Sequence, residues 1–283
     1  MIIMLALHKY PQLVLVVLFS LLFCTAPKAA DKNMTPIKFG SVAMDIPAEM
    51  HRRLTPLTQY LSKELNRPVS LRLSANMKSA IKELAQGNVD IAYLTPVAYI
   101  RSHEMADTKL VAKTITNKGD SFQLMIVVPD NSPIKTVAEL AGKRFAFGDK
   151  AALLQRAVVV GADMPLDKLG SYNFIGHYDN IVRGVLHHDF DAGILKDTKY
   201  FQWKDRGIKL LYASPKLPPY NIAVSANVDP KLLQQIKNAF LRLDINKPAD
   251  KRVIKSLDKK YDGFVATSNK EYDVVRKLVA PFN

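Results

Sequence analysis

The sequence has little of what covalent catalysis, metal binding or disulfide bonding requires. Its single cysteine is Cys24, close to the N-terminus. It contains no glycine-rich phosphate loop, no nucleophile elbow and no pair of histidines spaced to meet on one helix face. His187 and His188 are adjacent, so their side chains do not point at one metal ion, and we interpret them as surface residues. The sequence therefore predicts no catalytic, metal or cofactor site. An enzymatic function is the alternative with the least support.

The apolar run from Leu13 to Phe23 is too short to span a membrane, which takes about 20 residues. Its length suits the core of a signal peptide instead. We predict that Met1 to Ala30 is a signal peptide that directs export. Attachment of a lipid to Cys24 is the alternative, and it is disfavoured because Phe23 stands where such a signal has a small residue.

Acidic residues are scarce relative to basic ones, and the formal net charge is +14. A basic exported protein could bind an anionic small molecule, an anionic surface or nucleic acid. Nucleic acid is disfavoured, because export removes the protein from it and because no run of interleaved basic and aromatic residues is present. Net charge alone does not distinguish binding of an anionic small molecule or an anionic surface from a solvated basic surface without a specific role.

One pattern occurs twice, in Met77 to Ile100 and in Tyr178 to Phe201, at an offset of 101 residues, as from Asp90 to Asp191. Each copy has apolar residues at helical spacing, then a polar turn and a single aspartate. The apolar run that follows lacks alternation, which predicts a strand covered on both faces. We predict two halves with the same β-α-β plan and a functional site where they face each other. The alternative is a coincidence between two ordinary α/β units.

Strands and helices alternate along the rest of the chain, which predicts an α/β fold with mostly parallel sheets and flanking helices. Proline-rich segments at 129–133 and 214–220 indicate two crossings between lobes. We predict that residues 31–128 and 221–283 form lobe 1, that residues 129–220 form lobe 2, and that a cleft separates them. Two crossing strands make a hinge that suits closure on a ligand.

Ligands of open parallel sheets bind beyond the carboxyl ends of the strands. Residues at these ends are candidate ligand contacts: Met44, Asn76, Thr95, Lys150, His177, Tyr178 and Lys196. The repeat pairs Asn76 with His177 and Thr95 with Lys196. Free N–H groups at these loops form an anion site, strengthened by Lys150, Lys196 and a protonated His177. The alternatives are helix caps for Asn76 and Thr95, a structural role for His177 and solvation for the two lysines.

The run AQGNVDIAYLTP from Ala85 to Pro96, followed by Tyr99, resembles a hallmark segment of the phosphonate-, phosphite- and phosphate-binding proteins of ABC importers. LTQYL at 57–61, GHYDN at 176–180 and FDAG at 190–193 fall where that family has similar segments. The resemblance covers residues Ile37 to Leu243. It implies a two-lobed type II periplasmic binding fold, a periplasmic location, and capture of a small anion for a membrane permease.

One segment departs from the family pattern. Where the family has Ser-Thr-Ser-Gly at a helix start, this chain has KAALL at 150–154. Tyr220 stands near the place where phosphonate-binding members have an acid for the ligand's ammonium group, whereas His177 is retained. The resemblance thus implies the fold and a binding role. The altered loop implies a different anion, a less polar ligand, or a protein that senses instead of transporting.

We predict an exported, monomeric solute-binding protein that closes its lobes on a small anion related to phosphate, phosphite or phosphonate. Its contacts are predicted to come from Thr95, Lys150, His177, Lys196 and Tyr220, with Met44, Asn76 and Tyr178 in the same site. The expected partner is the permease of an ABC importer. The alternative is a periplasmic sensor or adaptor for a membrane signalling protein. No cofactor and no nucleic acid is expected.

Overall fold

The computed structural model describes residues 35–42, 46–116 and 119–282. The predicted signal peptide from Met1 to Ala30, its Cys24 and the candidate ligand contact Met44 lie outside these residues. Within the described ranges, no helix has both the length and the apolar character needed to cross a membrane.

These ranges form eleven strands and nine α-helices. The strands are β1 (Ile37–Val42), β2 (Val69–Ser74), β3 (Ile91–Leu94), β4 (Lys109–Ile115), β5 (Leu124–Pro129), β6 (Arg144–Phe147), β7 (Ser171–Phe174), β8 (Ala192–Lys196), β9 (Ile208–Ala213), β10 (Asn221–Val224) and β11 (Gly263–Val265). The helices are α1 (Pro47–Glu64), α2 (Met77–Ala85), α3 (Pro96–Ala106), α4 (Leu153–Gly161), α5 (Tyr178–Leu186), α6 (Asp197–Trp203), α7 (Pro230–Leu241), α8 (Pro248–Leu257) and α9 (Asp273–Val279).

The strands form two sheets, in the orders β11-β4-β10-β3-β1-β2 and β7-β6-β8-β5-β9. In the first sheet β1 pairs in parallel with β2 and β3, and in the second β6 pairs in parallel with β7 and β8. β10 runs antiparallel to β3 and β4, β11 runs antiparallel to β4, and β5 runs antiparallel to β8 and β9. The predicted α/β fold is confirmed, but the sheets are mixed, because the strands that follow the two crossings run against their neighbours.

The internal repeat is present in the structure. Helices α2 and α5 begin and end at residues 101 apart, from Met77 to Tyr178 and from Ala85 to Leu186. Strands β3 and β8 follow them at the same offset, and every residue of β3 is buried, as is β8 up to Leu195. The absence of alternation in these runs therefore has the predicted cause, since helices cover both faces of the sheets.

Helix α1 covers one face of the first sheet with a stripe of Met50, Leu54, Leu57 and Leu61, each at most 1% exposed. The i, i+4, i+7 spacing of these residues places them on one side of the helix. Full burial of a side chain of this size contributes about 1.5–3 kcal/mol. The stripe therefore fixes how α1 lies on the sheet.

The C-terminal helix α9 packs on α3, which follows a strand of the first sheet, and on α4, which follows a strand of the second. A Cβ atom at Gly161 of α4 would lie 2.5 Å from Leu278 Cδ2, so glycine permits this close approach. Tyr272 and Val275 belong to one hydrophobic cluster with Tyr99 and Val158. The chain end thus contacts elements of both sheets, although the predicted lobes assign it to lobe 1.

Candidate functional site

A cleft of about 610 Å³ lies where the two sheets meet. It is bounded by the end of β4 and the crossing that follows, by the start of α6, by the returning crossing before β10, and by the loop between α8 and β11. Its walls include Pro96, Thr114, Ser121, Phe122, Tyr178, Lys196, Asp197, Lys199, Pro219, Tyr220, Lys255, Asp258, Lys259, Lys260, Tyr261 and Asp262. Both crossings contribute walls, so the cleft adjoins the segments that join the sheets.

Lys196, the last residue of β8, is half-buried in the cleft wall. Its Nζ atom lies over the ring of Phe122, 4.8 Å from the ring centroid, in cation–π geometry. Burial lowers the pKa of Lys196, and the charge of Lys260 acts in the same direction, while Asp197 and Asp258 oppose both. The ammonium group is therefore less well solvated than that of an exposed lysine, and an anion beside it would stabilise its charge.

Tyr220 is held by a second aromatic contact. Its ring stacks on Tyr93, with centroids 5.0 Å apart and an interplanar angle of 26°. The hydroxyl groups of Tyr93 and Tyr261 are 2.5 Å apart. The carbonyl oxygen of Tyr220 accepts hydrogen bonds from the backbone N–H (3.0 Å) and hydroxyl (3.2 Å) of Thr114. The ring is therefore fixed from both its side chain and its backbone.

Tyr178 connects the cleft to the loop after β6. Its hydroxyl oxygen lies 3.5 Å from the Nε2 donor of the buried Gln155 in α4. Gln155 Oε1 in turn accepts a hydrogen bond from the Gly148 N–H at 2.8 Å. Burial raises the pKa of Tyr178 to about 12, so this hydroxyl stays protonated and can donate a hydrogen bond at neutral pH.

The charged side chains of the cleft are five lysines and three aspartates. Lys199 pairs with Asp179 at 2.8 Å, and Lys255 pairs with Asp262 at 3.0 Å. Within the described part of the chain, Lys196, Lys259 and Lys260 have no carboxylate oxygen within the 4.0 Å of an ion pair. The cleft thus offers three lysines outside ion pairs, although Asp197 and Asp258 lie in the same walls.

The structure brings three of the eight candidate contacts, Tyr178, Lys196 and Tyr220, into the cleft. Thr95 lies next to the wall residue Pro96, but its hydroxyl oxygen accepts a hydrogen bond from the Ala98 N–H at 3.2 Å as the N-cap of α3. Asn76 likewise caps α2 by accepting from the Ser79 N–H at 3.0 Å. Both side chains therefore act as helix caps, as the alternative interpretation predicted. The cleft walls include neither of them.

Lys150 and His177 are exposed and outside the cleft walls as described. His177 and Lys196 occupy the N-cap positions of α5 and α6, as the repeat predicts, yet neither side chain makes a capping hydrogen bond. The charge of Asp149, the residue before Lys150, acts on Tyr220 in the cleft wall and helps to raise its pKa, after burial and Asp258.

The rule that ligands bind beyond the carboxyl ends of parallel strands did not predict the segment from Asp258 to Asp262, DKKYD. This segment precedes β11, whose first residue Gly263 pairs with Ile115 at the end of β4. Because β11 is antiparallel, its beginning lies at the edge where the parallel strands end. Five charged or aromatic residues in one short connection were the available signal, and strand direction was the missing information.

Among the described residues, no group of three or more His, Cys, Asp or Glu side chains is placed to hold a metal ion. The arrangement instead offers a cation on an aromatic wall, tyrosine hydroxyl donors and two adjacent crossings. These groups have the chemistry to contact an anion through charge and hydrogen bonds.

Comparison with known proteins identifies this architecture. A family model for the periplasmic substrate-binding protein of phosphonate ABC transporters matches residues 39–272. The phosphate-import protein PhnD of Mycolicibacterium smegmatis is 21% identical over 271 residues, covering 86% of this chain and 84% of that protein. Among solved structures, PhnD1 from Prochlorococcus marinus in complex with methylphosphonate is 17% identical, with a TM-score of 0.66, and the match covers 87% of this chain and 98% of that one.

XAC2383 from Xanthomonas citri bound to ATP is 16% identical with a TM-score of 0.72, and the match covers 87% of this chain and 96% of that one. The two mixed sheets with flanking helices are those of the type II periplasmic-binding-protein fold. The predicted family resemblance is confirmed, since the family model matches most of the chain. The chain belongs to the family of phosphonate-binding periplasmic substrate-binding proteins of ABC transporters.

Proposed function

We propose that the protein is a periplasmic monomer that captures a small anion, related to phosphate, phosphite or phosphonate, and presents it to the membrane permease of an ABC importer. Lys196 is the observation that carries this proposal. Its ammonium group is half-buried over Phe122, and within the described residues no carboxylate lies within ion-pair distance. A cation held partly out of water and outside any ion pair is available to an anionic ligand.

The relatives support the anion class and the transport role. The protein from Mycolicibacterium smegmatis is named for phosphate import, and PhnD1 from Prochlorococcus marinus holds methylphosphonate. Both are distant in sequence. We carry over the class of ligand from them and take the residues only from this chain.

Capture requires residues 129–220 to close on residues 31–128 and 221–283 about the two crossings. Asn76, Thr95, Lys150 and His177 follow β2, β3, β6 and β7 beyond their carboxyl ends. Closure would bring these positions, and the predicted contact Met44, nearer to a ligand held by Tyr178, Lys196 and Tyr220. No residue is assigned a catalytic role.

The proposal is tested by calorimetric and thermal-unfolding titrations of the purified protein with phosphate, phosphite and methylphosphonate. A ligand at about 100 times its Kd should add about 2.7 kcal/mol to the free energy of unfolding. Lys196→Gln should weaken binding at least tenfold, whereas Lys259→Gln, a lysine at the same cleft, should weaken it much less. A decrease in the radius of gyration with ligand would report closure.

Absence of binding by all these anions, together with no co-purifying ligand, would contradict the proposal. Transport is tested separately by adding the loaded protein to its permease and ATPase in vesicles. Stimulated ATP hydrolysis supports an importer, whereas binding without stimulation points to a sensor.

A further inference from the structure

The turn that precedes helix α4 already holds an acceptor from its own chain. Asp149 Oδ1 accepts a hydrogen bond from the Ala151 N–H at 2.8 Å, and the Asp149 carbonyl oxygen accepts from the Ala152 N–H at 2.9 Å. The side chains from Lys150 to Leu154 carry no hydroxyl group. A bare oxyanion arriving here would meet a carboxylate and no side-chain hydroxyl donor.

Four aromatic side chains line the cleft walls. They are Phe122, Tyr178, Tyr220 and Tyr261. The stacking of Tyr220 on Tyr93 fixes one ring plane, and the burial of Tyr178 fixes another wall. Rigid aromatic rings provide large apolar contact areas with hydroxyl groups at their edges, which suits a planar organic group.

A smaller cavity of about 180 Å³ shares Tyr220, Asp258 and Tyr261 with the main cleft, and Arg53 also lines it. The main cleft alone, at about 610 Å³, lies within the range of roughly 300–1,000 Å³ typical of sites for organic ligands. Space and apolar surface therefore extend well beyond the surroundings of Lys196.

We propose that the ligand of this cleft is an organic anion whose anionic group pairs with Lys196 and whose aromatic or otherwise planar body lies against Tyr178 and Tyr220. The inference rests on the proposed function and narrows its ligand class. Lys196 then supplies the charge contact common to all anions, and the aromatic walls discriminate among them.

The test compares matched pairs of anions that differ by an aromatic ring: phenylphosphonate with methylphosphonate, and benzoate with acetate. Calorimetric titration of the purified protein should give a Kd at least tenfold lower for the aromatic member of each pair. Lys196→Gln should weaken both phosphonates by a similar factor, because they share the charged group.

Tyr178→Leu should weaken phenylphosphonate binding more than methylphosphonate binding, so that the preference for phenylphosphonate falls at least threefold. Tyr172→Leu, an exposed tyrosine of β7 outside the cleft walls described here, is the matched control. Tyr220→Leu is the second variant should Tyr178→Leu fail to fold, and it should also reduce the preference.

Binding of methylphosphonate as tight as, or tighter than, that of phenylphosphonate would overturn this inference and leave anion capture standing. A preference that survives both cleft substitutions would also overturn it. A protein that binds neither member of either pair would contradict anion capture itself, so the two failures are distinguishable.

Discussion

Asp90 and Asp191 make the same pair of hydrogen bonds in the two halves of the protein. Asp90 Oδ2 accepts from the Lys38 N–H of β1 at 2.7 Å, and the Asp90 N–H donates to the Lys38 carbonyl at 3.0 Å. Asp191 Oδ2 accepts from the Arg144 N–H of β6 at 2.8 Å, and its N–H donates to the Arg144 carbonyl at 2.9 Å. Each aspartate therefore fastens the strand that follows a repeated helix to the neighbouring parallel strand.

Replacing either aspartate by alanine should lower the free energy of unfolding by about 1–2 kcal/mol, because a hydrogen bond to a charged group contributes about 1.5–3 kcal/mol and both sites are partly exposed. Urea unfolding measures the loss. Ligand affinity should not change, and Asp167→Ala, whose carboxylate makes no hydrogen bond among the described residues, should have little effect. Unchanged stability of both variants would show that backbone pairing alone holds the strands.

For Asp191 a further contact with Arg144 predicts an acid dependence. The Arg144 guanidinium donates a hydrogen bond to Asp191 Oδ1 at 2.8 Å, and this bond is the main cause that lowers the pKa of Asp191 below its ordinary 3.8. Its contribution is therefore present above pH 4 and is lost as the pH falls through the folded-state pKa. The stability difference between the wild type and Asp191→Ala should shrink in that acid range.

Removal of the negative charge of Asp149, which precedes α4, should strengthen the binding of small oxyanions. Asp149→Ser keeps an oxygen acceptor for the Ala151 N–H and adds a hydroxyl group. A charge at a helix N-terminus is worth about 0.3–1 kcal/mol, so phosphate and methylphosphonate affinities should rise about two- to fivefold. Asp189→Ser, at the far end of α5, is the control. Equal affinities in the wild type and Asp149→Ser would place the anion away from α4.

As the pH rises, anion binding should weaken at a lower pH than it would for a lysine with the ordinary pKa. Burial lowers the pKa of Lys196, helped by Lys260 and opposed by Asp197 and Asp258. The ammonium group therefore loses its proton below pH 10.5, and the charge contact is lost with it. Titrations from pH 7 to 10 should show the decline in the wild type and in Lys259→Gln. Lys196→Gln should bind the anion weakly at every pH. A decline of the same size in that variant would show that a group other than Lys196 causes the pH dependence.

The buried tyrosines predict a loss of stability in alkali. Burial raises the pKa values of Tyr93, Tyr220 and Tyr261 and brings that of Tyr178 to about 12, above the ordinary value of 10.0. The unfolded chain releases these protons first, so their contribution is intact below pH 10 and is lost as the pH rises through the folded-state values. Tyr178→Phe should reduce the slope of unfolding free energy against pH between 10 and 12. An unchanged slope would mean that Tyr178 ionises like an exposed tyrosine.

Lys113 should stabilise the first crossing. Its Nζ atom lies 2.8 Å from Asp120 and 2.6 Å from Glu271, and its side chain is 8% exposed. Lys113→Met leaves two carboxylates close together without their shared cation, so the free energy of unfolding should fall by about 1–3 kcal/mol. Lys109→Met, on the same strand and paired only with the exposed Asp107, should cost less than about 1 kcal/mol. Equal costs for the two variants would refute a special role for Lys113.

Local patterns predicted the repeated units well. The bounds of α2 and α5, the buried strands β3 and β8 and the helix caps Asn76 and Thr95 depend on periodicity and on residues a few positions apart, which the sequence displays directly. Membership of the family followed from the motif around Asp90 and Thr95.

Strand direction and side-chain placement could not be predicted from local sequence patterns. The orientation of β11 is set by pairing with β4, far away in sequence, so the loop from Asp258 to Asp262 was not anticipated in the cleft. Whether a residue at a strand end points into a cleft depends on competing local hydrogen bonds. Asn76 and Thr95 use their side chains on their own helices, whereas Lys196 does not.

Thr95 and Lys196 thus show how a repeated fold can change its ligand. Both occupy the N-cap of the helix after a buried strand, and the hydroxyl of a capping threonine contributes about 1 kcal/mol of stability. The second half gives up that capping bond and places an ammonium group in the cleft. The same position of the repeat therefore stabilises a helix in one half and supplies a cation to the cleft in the other.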